Sequence, residues 1–317
     1  MRIIFCGTPQ FAVPTLQKLL TQNDIEIAAV ITQPDRPRGR GQEVTASPVK
    51  QAALAAGVVV HQPEKIRSPD AQKILEELAP DCIVIIAYGQ IIPARLLPIP
   101  KLGWINLHAS LLPKYRGAAP INWAIVNGES QTGLTTMRID AGMDTGGMLL
   151  ESRLAIGASE TAPELTIRLA EAGAPLMTET LRGLAAGTLA SRPQNHDQAS
   201  YAPMLKKEDG RIDWRLPAEQ VYNRMRGFSP WPGAYTTFRS QTCQLGGQPD
   251  RPQAGGAQSA ATAPGAIQRA GDRMLVTCGD TTVIGLTTVK LEGRKQVSAL
   301  EFANGARLTE GERFGES

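Results

Sequence analysis

A chain of 317 residues with 42% hydrophobic and 20% charged residues is long enough for about two domains, each able to bury a core, and this excludes a wholly disordered polymer. The formal net charge of only +3 says little about nucleic acid by itself, so placement of charge must carry any such case. Four cysteines, Cys6, Cys82, Cys243 and Cys278, form no C-x-x-C pair and no Cys/His cluster with zinc-ligand spacing; they are expected as buried, reduced thiols of a cytoplasmic protein without a metal.

Ile3 to Cys6 is a short apolar run ending at Gly7-Thr8-Pro9. It reads as a first strand, not a signal peptide, and no run has the length of a membrane span. Helical periodicity over Phe11 to Leu20 leads to a second apolar run, Ile25 to Thr32. Ala52 to Ala56 can be helical before the apolar Val58 to Val60, Ala71 to Leu78 is amphipathic, and Cys82 to Ala87 is strongly apolar and β-branched. Runs without strict alternation suit parallel strands buried on both faces. Alternating with helices, they predict an α/β fold with a doubly wound, mostly parallel sheet that binds ligands beyond the carboxyl ends of its strands. The first turn lacks the second and third glycines of G-x-G-x-x-G, and no G-x-x-x-x-G-K-[ST] occurs, which counts against a nicotinamide or nucleoside-triphosphate role.

Glu164 to Leu184 has a helical pattern, after which Gly187 to Pro203 turns polar and reads as an interdomain linker. The expected division is a catalytic domain at 1–189, a linker at 190–206 and a second domain at 207–317. In that domain Ile212 to Phe228 is partly helical. Ala234 to Phe238, Met274 to Cys278 and Thr282 to Val289 are short β-like runs separated by glycines, a pattern that predicts a small β-barrel. Gly246 to Pro264, rich in Gly, Ala, Gln and Pro, is expected as a mobile surface loop.

The chemistry-bearing stretch runs from Gly103 to Pro120. Trp104 to His108 looks like a strand, and alternation puts Asn106 and His108 on one face. An amide there can donate to a developing oxyanion, and an imidazole can exchange a proton near neutral pH. Further on, Asp140 and Asp144 sit in the glycine-rich Arg138 to Gly147, where a carboxylate near His108 would orient its ring. Spacing alone leaves an acyl-transfer site as one option among several, because strand histidines are often structural and Asp in a Gly-rich turn usually serves the turn.

Asn106-x-His108-x-Ser110-Leu111-Leu112-Pro113, then Tyr115-Arg116-Gly117-Ala118 and Asp144-Thr145-Gly146-Gly147, resembles the active-site signature of the folate-dependent formyltransferases. The likeness covers nearly the whole chain. It includes Phe5 to Ala12, Gln33 to Gly41, Ser47 to Lys50, Gly210 to Trp214 and Ser229 to Ala234. The resemblance implies a Rossmann-like catalytic domain and an OB-like barrel. It implies that His108 assists proton transfer as the amine attacks the formyl carbon, that Asn106 hydrogen-bonds the formyl oxygen as negative charge builds, and that Asp144 steers His108 and helps relay the proton. Ser110, Leu111, Leu112 and Pro113 would line the pocket for 10-formyltetrahydrofolate, with no metal and no covalent enzyme intermediate.

Within that family the acceptor the resemblance implies is the amine of initiator methionyl-tRNA. Arg36, Arg38 and Arg40, spaced among glycines and prolines in the Gln33 to Val49 loop, suit contact with phosphates and exposed bases. Lys206 and Lys207 open a basic cluster with Arg211, Arg215, Arg224 and Arg226, diluted by Glu208, Asp209, Asp213 and Glu219. The alternatives are a glycinamide or a nucleotide-linked amino sugar as acceptor. Outside the family they are a nicotinamide oxidoreductase, which the first turn disfavours, and a noncatalytic RNA-binding module, which leaves Asn106, His108 and Asp144 without a purpose. Resemblance also implies a monomer with no membrane association.

Overall fold

Apolar β-branched runs cannot leave either face of a strand in water, and in this protein they fill the middle of a sheet. The structure, a computed structural model, describes residues 1–38, 43–250 and 263–315. The chain folds into two compact units. The first comprises Met1–Pro120, Gln131–Ala155 and Glu164–Pro203; the second comprises Ile121–Ser130, Ile156–Pro163 and the described part of Met204–Ser317.

In chain order the elements are β1 (Arg2–Gly7), α1 (Val13–Leu20), β2 (Glu26–Ile31), β3 (Arg36–Arg38), β4 (Glu43–Thr45), α2 (Pro48–Ala55), β5 (Val60–His61), α3 (Pro69–Leu78), β6 (Cys82–Ile86), β7 (Trp104–His108), β8 (Arg116–Gly117), α4 (Pro120–Val126), β9 (Gln131–Arg138), β10 (Met148–Ala155), α5 (Ala162–Ala185) and β11 (Tyr201–Ala202). The main sheet has seven strands in the order β10-β9-β7-β6-β1-β2-β5. Pairings β5–β2, β2–β1, β1–β6 and β6–β7 are parallel, while β7–β9 and β9–β10 are antiparallel. The expected doubly wound, mostly parallel sheet is therefore present, with an antiparallel edge. From β1 the chain moves outward to β2 and β5, then returns to place β6 on the other side of β1. That reversal puts the topological switch point between β1 and β6, and in sheets of this kind ligands bind beyond the carboxyl ends of the strands there, next to the end of β7.

Local chemistry sets the helix starts. Ser47 and Ser68 each accept a backbone N–H three residues on, from Lys50 and Ala71, with Pro48 and Pro69 at the first helical positions. This is why α2 begins at Pro48, ahead of the Ala52 expected from apolar periodicity. Of the expected run Val58 to Val60 only Val60 pairs as a strand, together with His61 beyond it.

The second unit adds α6 (Ala218–Gly227), β12 (Tyr235–Phe238), β13 (Gln241–Asp250), β14 (Ile267–Ala270), β15 (Arg273–Thr277), β16 (Val283–Leu291), β17 (Val297–Ser298) and α7 (Ala299–Ala306). Its strands form a six-stranded antiparallel sheet in the order β12-β13-β16-β15-β14, with β17 also pairing with β16, the strand set of the small barrel-type domain expected. Gly246 to Asp250, expected in a loop, instead extends β13, because Thr288, Leu286, Gly285, Ile284 and Val283 of β16 supply backbone partners and a register shift absorbs Gly246-Gly247. Residues 251–262 lie outside the described part. The core packs Trp214, Phe238, Phe302 and Phe314 with Val221, Val276, Ile284 and Val289. Two segments from the amino-terminal half join this unit: Asn122 Nδ2 donates to Gly227 O at 2.7 Å, and Trp123 meets Phe228 edge-on at 5.5 Å.

Candidate active site

The carboxyl end of β7 carries Asn106 and His108 on one face, as strand alternation requires. His108 is buried, and its Nε2 lies 2.9 Å from Tyr115 O. A carbonyl oxygen can only accept, so Nε2 carries the proton. In the neutral ring Nδ1 is then a bare acceptor, and it faces Asp144 Oδ2 at 3.6 Å. Two acceptors at that separation do not hydrogen-bond; the pair is completed when a proton arrives between them. Asn106 is half-buried, and no side chain or backbone group among the described residues hydrogen-bonds its carboxamide.

Asp144 is held at both ends. Its Oδ2 accepts the Gly117 N–H at 2.8 Å, and its backbone carbonyl accepts Gln194 Nε2 at 2.8 Å. It sits at φ 53°, a left-handed conformation an aspartate adopts only under local support. Two glycines allow this closeness. Gly117 has φ 119°, and a Cβ there would lie 2.7 Å from Ala202 O; a Cβ at Gly146 would lie 1.9 Å from Arg138 O.

The stretch expected as a linker closes over this site. Arg192 and Met148 exchange backbone hydrogen bonds at 2.8 Å each. Ser200 Oγ accepts the Tyr115 N–H at 2.9 Å, and β11 pairs in parallel with β8. Buried Gln194 donates to the carbonyls of Asp144 and Gly146 and accepts from Arg116 Nε and a terminal guanidinium nitrogen. Tyr115, Arg116 and Gly117 lie in the motif that carries the resemblance, but nothing in their sequence shows what they hold; Gln194 and Ser200 look, in sequence, like solvated linker residues.

The residues expected to line a carrier pocket divide. Ser110 is fully buried, with its hydroxyl donating to Lys114 O at 2.6 Å and its carbonyl accepting Thr135 Oγ1 at 2.7 Å. Leu112 is buried and its N–H donates to Thr135 Oγ1 at 3.1 Å. Leu111 and Pro113 are half-buried. Together these bonds fix the turn that follows His108.

Within the arginine loop the described residues of β3 pair antiparallel with β4. At its base Asp35 accepts from Lys50 and Gln62, which hold its carboxyl below the usual carboxylate range. Arg36 pairs with Glu64 at 3.0 Å with both side chains largely exposed, an arrangement worth little in water and readily exchanged. Arg38 lies on β3, and Arg40 falls outside the described residues. In the second unit Lys206 and Lys207 are exposed at the start of a one-turn helix. The wider basic cluster is smaller than its sequence suggests. Arg215 is paired with Asp213 at 2.8 Å, and Arg226 is buried, donating to Gly157 O and Glu160 O at 3.1 and 3.0 Å because these carbonyls need partners there.

Residues 1–181 match the Formyl transferase family, and residues 204–307 match its C-terminal domain family. A methionyl-tRNA formyltransferase from Solibacter usitatus is 54% identical over 316 residues, covering 100% of this chain and 99% of the relative. One from Koribacter versatilis is 47% identical over 316 residues, 99% of each chain. Among solved structures, the sugar 3N-formyl transferase WlaRD, determined in the presence of dTDP and 5-N-formyl-THF, superposes with a TM-score of 0.63 over 93% of this chain and 99% of its own at 17% identity. That identity speaks for the fold alone.

Proposed function

The chain belongs to the formyl transferase family, and from that premise we propose that it moves the formyl group of 10-formyltetrahydrofolate onto the amine of initiator methionyl-tRNA. It is a transferase that formylates methionyl-tRNA with a folate-type donor. The observation that carries the chemistry is the His108–Asp144 pair, with Nε2 committed to Tyr115 O and Nδ1 open toward the carboxylate.

The folate supplies a formyl carbon already activated for transfer. His108 Nδ1 accepts a proton from the amine as its nitrogen bonds that carbon, and Asp144 stabilises the resulting imidazolium. Asn106 Nδ2 donates to the formyl oxygen as negative charge builds on it, the task its unpartnered, half-buried amide fits. The C=O bond re-forms as the bond to the carrier nitrogen breaks, and that nitrogen takes up the proton held on His108, so the ring returns to its starting state and atoms and charge balance. Leu111, Leu112 and Pro113 form the apolar wall beside the donor, and the Ser110 bonds keep that wall in place.

Arg36 and Arg38 of β3, together with Arg40, Lys206, Lys207 and the 207–317 domain, contact the tRNA; 1–189 does the chemistry. The protein works as a cytoplasmic monomer, in keeping with four buried free thiols, which suit a reducing compartment. Among the described residues no helix is long and apolar enough to cross a membrane. Incubation with methionyl-tRNA and formylated folate tests the reading, with glycinamide and amino-sugar acceptors in parallel. Formyl-methionine is expected on the tRNA; a preference for either small acceptor overturns it.

A further inference from the structure

Gln194 has no part in binding either substrate as described, yet it is buried at 6% exposure with every polar position used. Oε1 accepts from Arg116 Nε at 3.0 Å and from a terminal guanidinium nitrogen at 2.6 Å, while Nε2 donates to Asp144 O and Gly146 O, both at 2.8 Å. Turning the amide over would set its oxygen against two carbonyls and its NH₂ against two guanidinium N–H groups, so one orientation alone satisfies the site. Arg116 is itself buried, and its side-chain partners here are Gln194 Oε1 and His196 Nδ1. Arg116 precedes Gly117, whose N–H holds the Asp144 carboxylate.

We propose, on the footing of the catalytic reading of Asp144, that Gln194 is a positioning residue of the transfer reaction: it fixes the backbone from which Asp144 projects toward His108. The left-handed backbone at Asp144 is sparsely populated by residues with a Cβ, and its surroundings hold it there. Gln194 holds the peptide carbonyl while Gly117 holds the carboxylate, and Arg116 joins both clamps into one. Without the Gln194 amide the 140–147 loop loses its hydrogen bonds at Asp144 O and Gly146 O, and the Gly117 N–H is left to hold the carboxylate alone, so its distance to Nδ1 loosens.

Misplacement of a catalytic group by about 1 Å costs on the order of 100-fold, so Gln194→Ala is expected to lower kcat about 10- to 100-fold. KM for methionyl-tRNA and for the folate should stay within about twofold, because no substrate contact is removed. Gln194→Glu keeps side-chain length and the Arg116 contact but loses both donors, so it should be impaired as Gln194→Ala is, and it decides the matter if the alanine variant does not fold. Combined with Asp144→Asn, Gln194→Ala should add nothing to the loss in kcat, since its effect passes through that carboxylate. Near wild-type kcat in Gln194→Glu, or losses that multiply in the double variant, overturn the positioning role. An unimpaired Asp144→Asn overturns the catalytic reading itself, and an impaired Asp144→Asn beside an unimpaired Gln194→Glu overturns the Gln194 role alone.

Discussion

Asp144→Asn isolates charge from shape. Asparagine keeps an oxygen for the Gly117 N–H at 2.8 Å, and the backbone bond to Gln194 is untouched, so the loop should retain its path. What disappears is a negative charge 3.6 Å from His108 Nδ1. At an effective dielectric of about 20, unit charges at that distance attract by about 4 to 5 kcal/mol, a ceiling of about three orders of magnitude in rate at about 1.4 kcal/mol per factor of ten. The Asp144 side chain is 19% exposed, and the imidazolium is only partly developed when the amine attacks; both reduce the effect. The expected loss in kcat is about 100- to 1,000-fold, with KM little changed. Rapid-quench single-turnover formylation of methionyl-tRNA measures it, with thermal unfolding as the control for fold. A folded Asp144→Asn protein that works within threefold of the original would refute the assigned roles, because no other carboxylate is paired with His108 among the described residues.

Asn106→Ala should lower turnover by about two to three orders of magnitude, the usual cost of a lost oxyanion donor, with unchanged unfolding; a small effect would place the oxyanion elsewhere. Replacing Arg36, Arg38 and Arg40 together with alanine should raise KM for tRNA far more than for folate. It should also flatten the salt dependence by about 2 to 3 in log–log slope, and equal loss of both affinities would argue against the loop's role. Burial pushes the thiols of Cys82, Cys243 and Cys278 up to about 12 and that of Cys6 higher still, so native protein at pH 8 should resist alkylation while unfolded protein takes four labels; stoichiometric native labelling would contradict this. Arg182 hydrogen-bonds Asp24 and lowers its pKa from 3.8 to about 2. A depressed carboxylate stabilises the fold above its unfolded pKa and loses that contribution as pH falls toward the folded value. Asp24→Asn should therefore flatten the fall of unfolding temperature between pH about 4 and about 2, and parallel curves would contradict the linkage.

The parts of the fold legible in sequence are those whose cause is local or repeated. Cys82 to Ile86 reads as a strand because its apolar β-branched residues need cover on both faces, and Trp104 to His108 because its polar and apolar residues alternate. β9 was not read because Thr132, Thr135 and Thr136 make it look polar. All three are buried, and the hydroxyls of Thr136 and Thr135 find their partners in Thr180 and the Ser110 carbonyl, 44 and 25 positions away. The β3–β4 pair and β13 carry prolines and glycines that read as loop; their strand character depends on pairing partners elsewhere in the chain. His108 and Asn106 were placed by period-two alternation, but Gln194 stayed hidden. Its burial depends on Arg116, 78 residues earlier, and a glutamine among prolines and asparagines carries no local sign of that partner.

The gap between His108 and Asp144 is itself informative about which state the site is shaped for. Were the pair built for the resting enzyme, a proton on Nδ1 would sit between nitrogen and carboxylate at about 2.7 to 2.9 Å, as charge-assisted hydrogen bonds do. Tyr115 O instead holds the proton on Nε2, and the facing acceptors stand 3.6 Å apart. Only a group that brings a proton into the gap makes the arrangement favourable, and an attacking amine does so at the moment its nitrogen becomes acidic. With a neutral ring the attraction between His108 and Asp144 is weak, and with the amine proton on Nδ1 it is strong; an interaction that strengthens in the transition state is the kind that raises kcat without tightening substrate binding. The clamps at Gly117 and Gln194 serve the same end, keeping the carboxylate near enough to meet that charge and holding it in place before it forms.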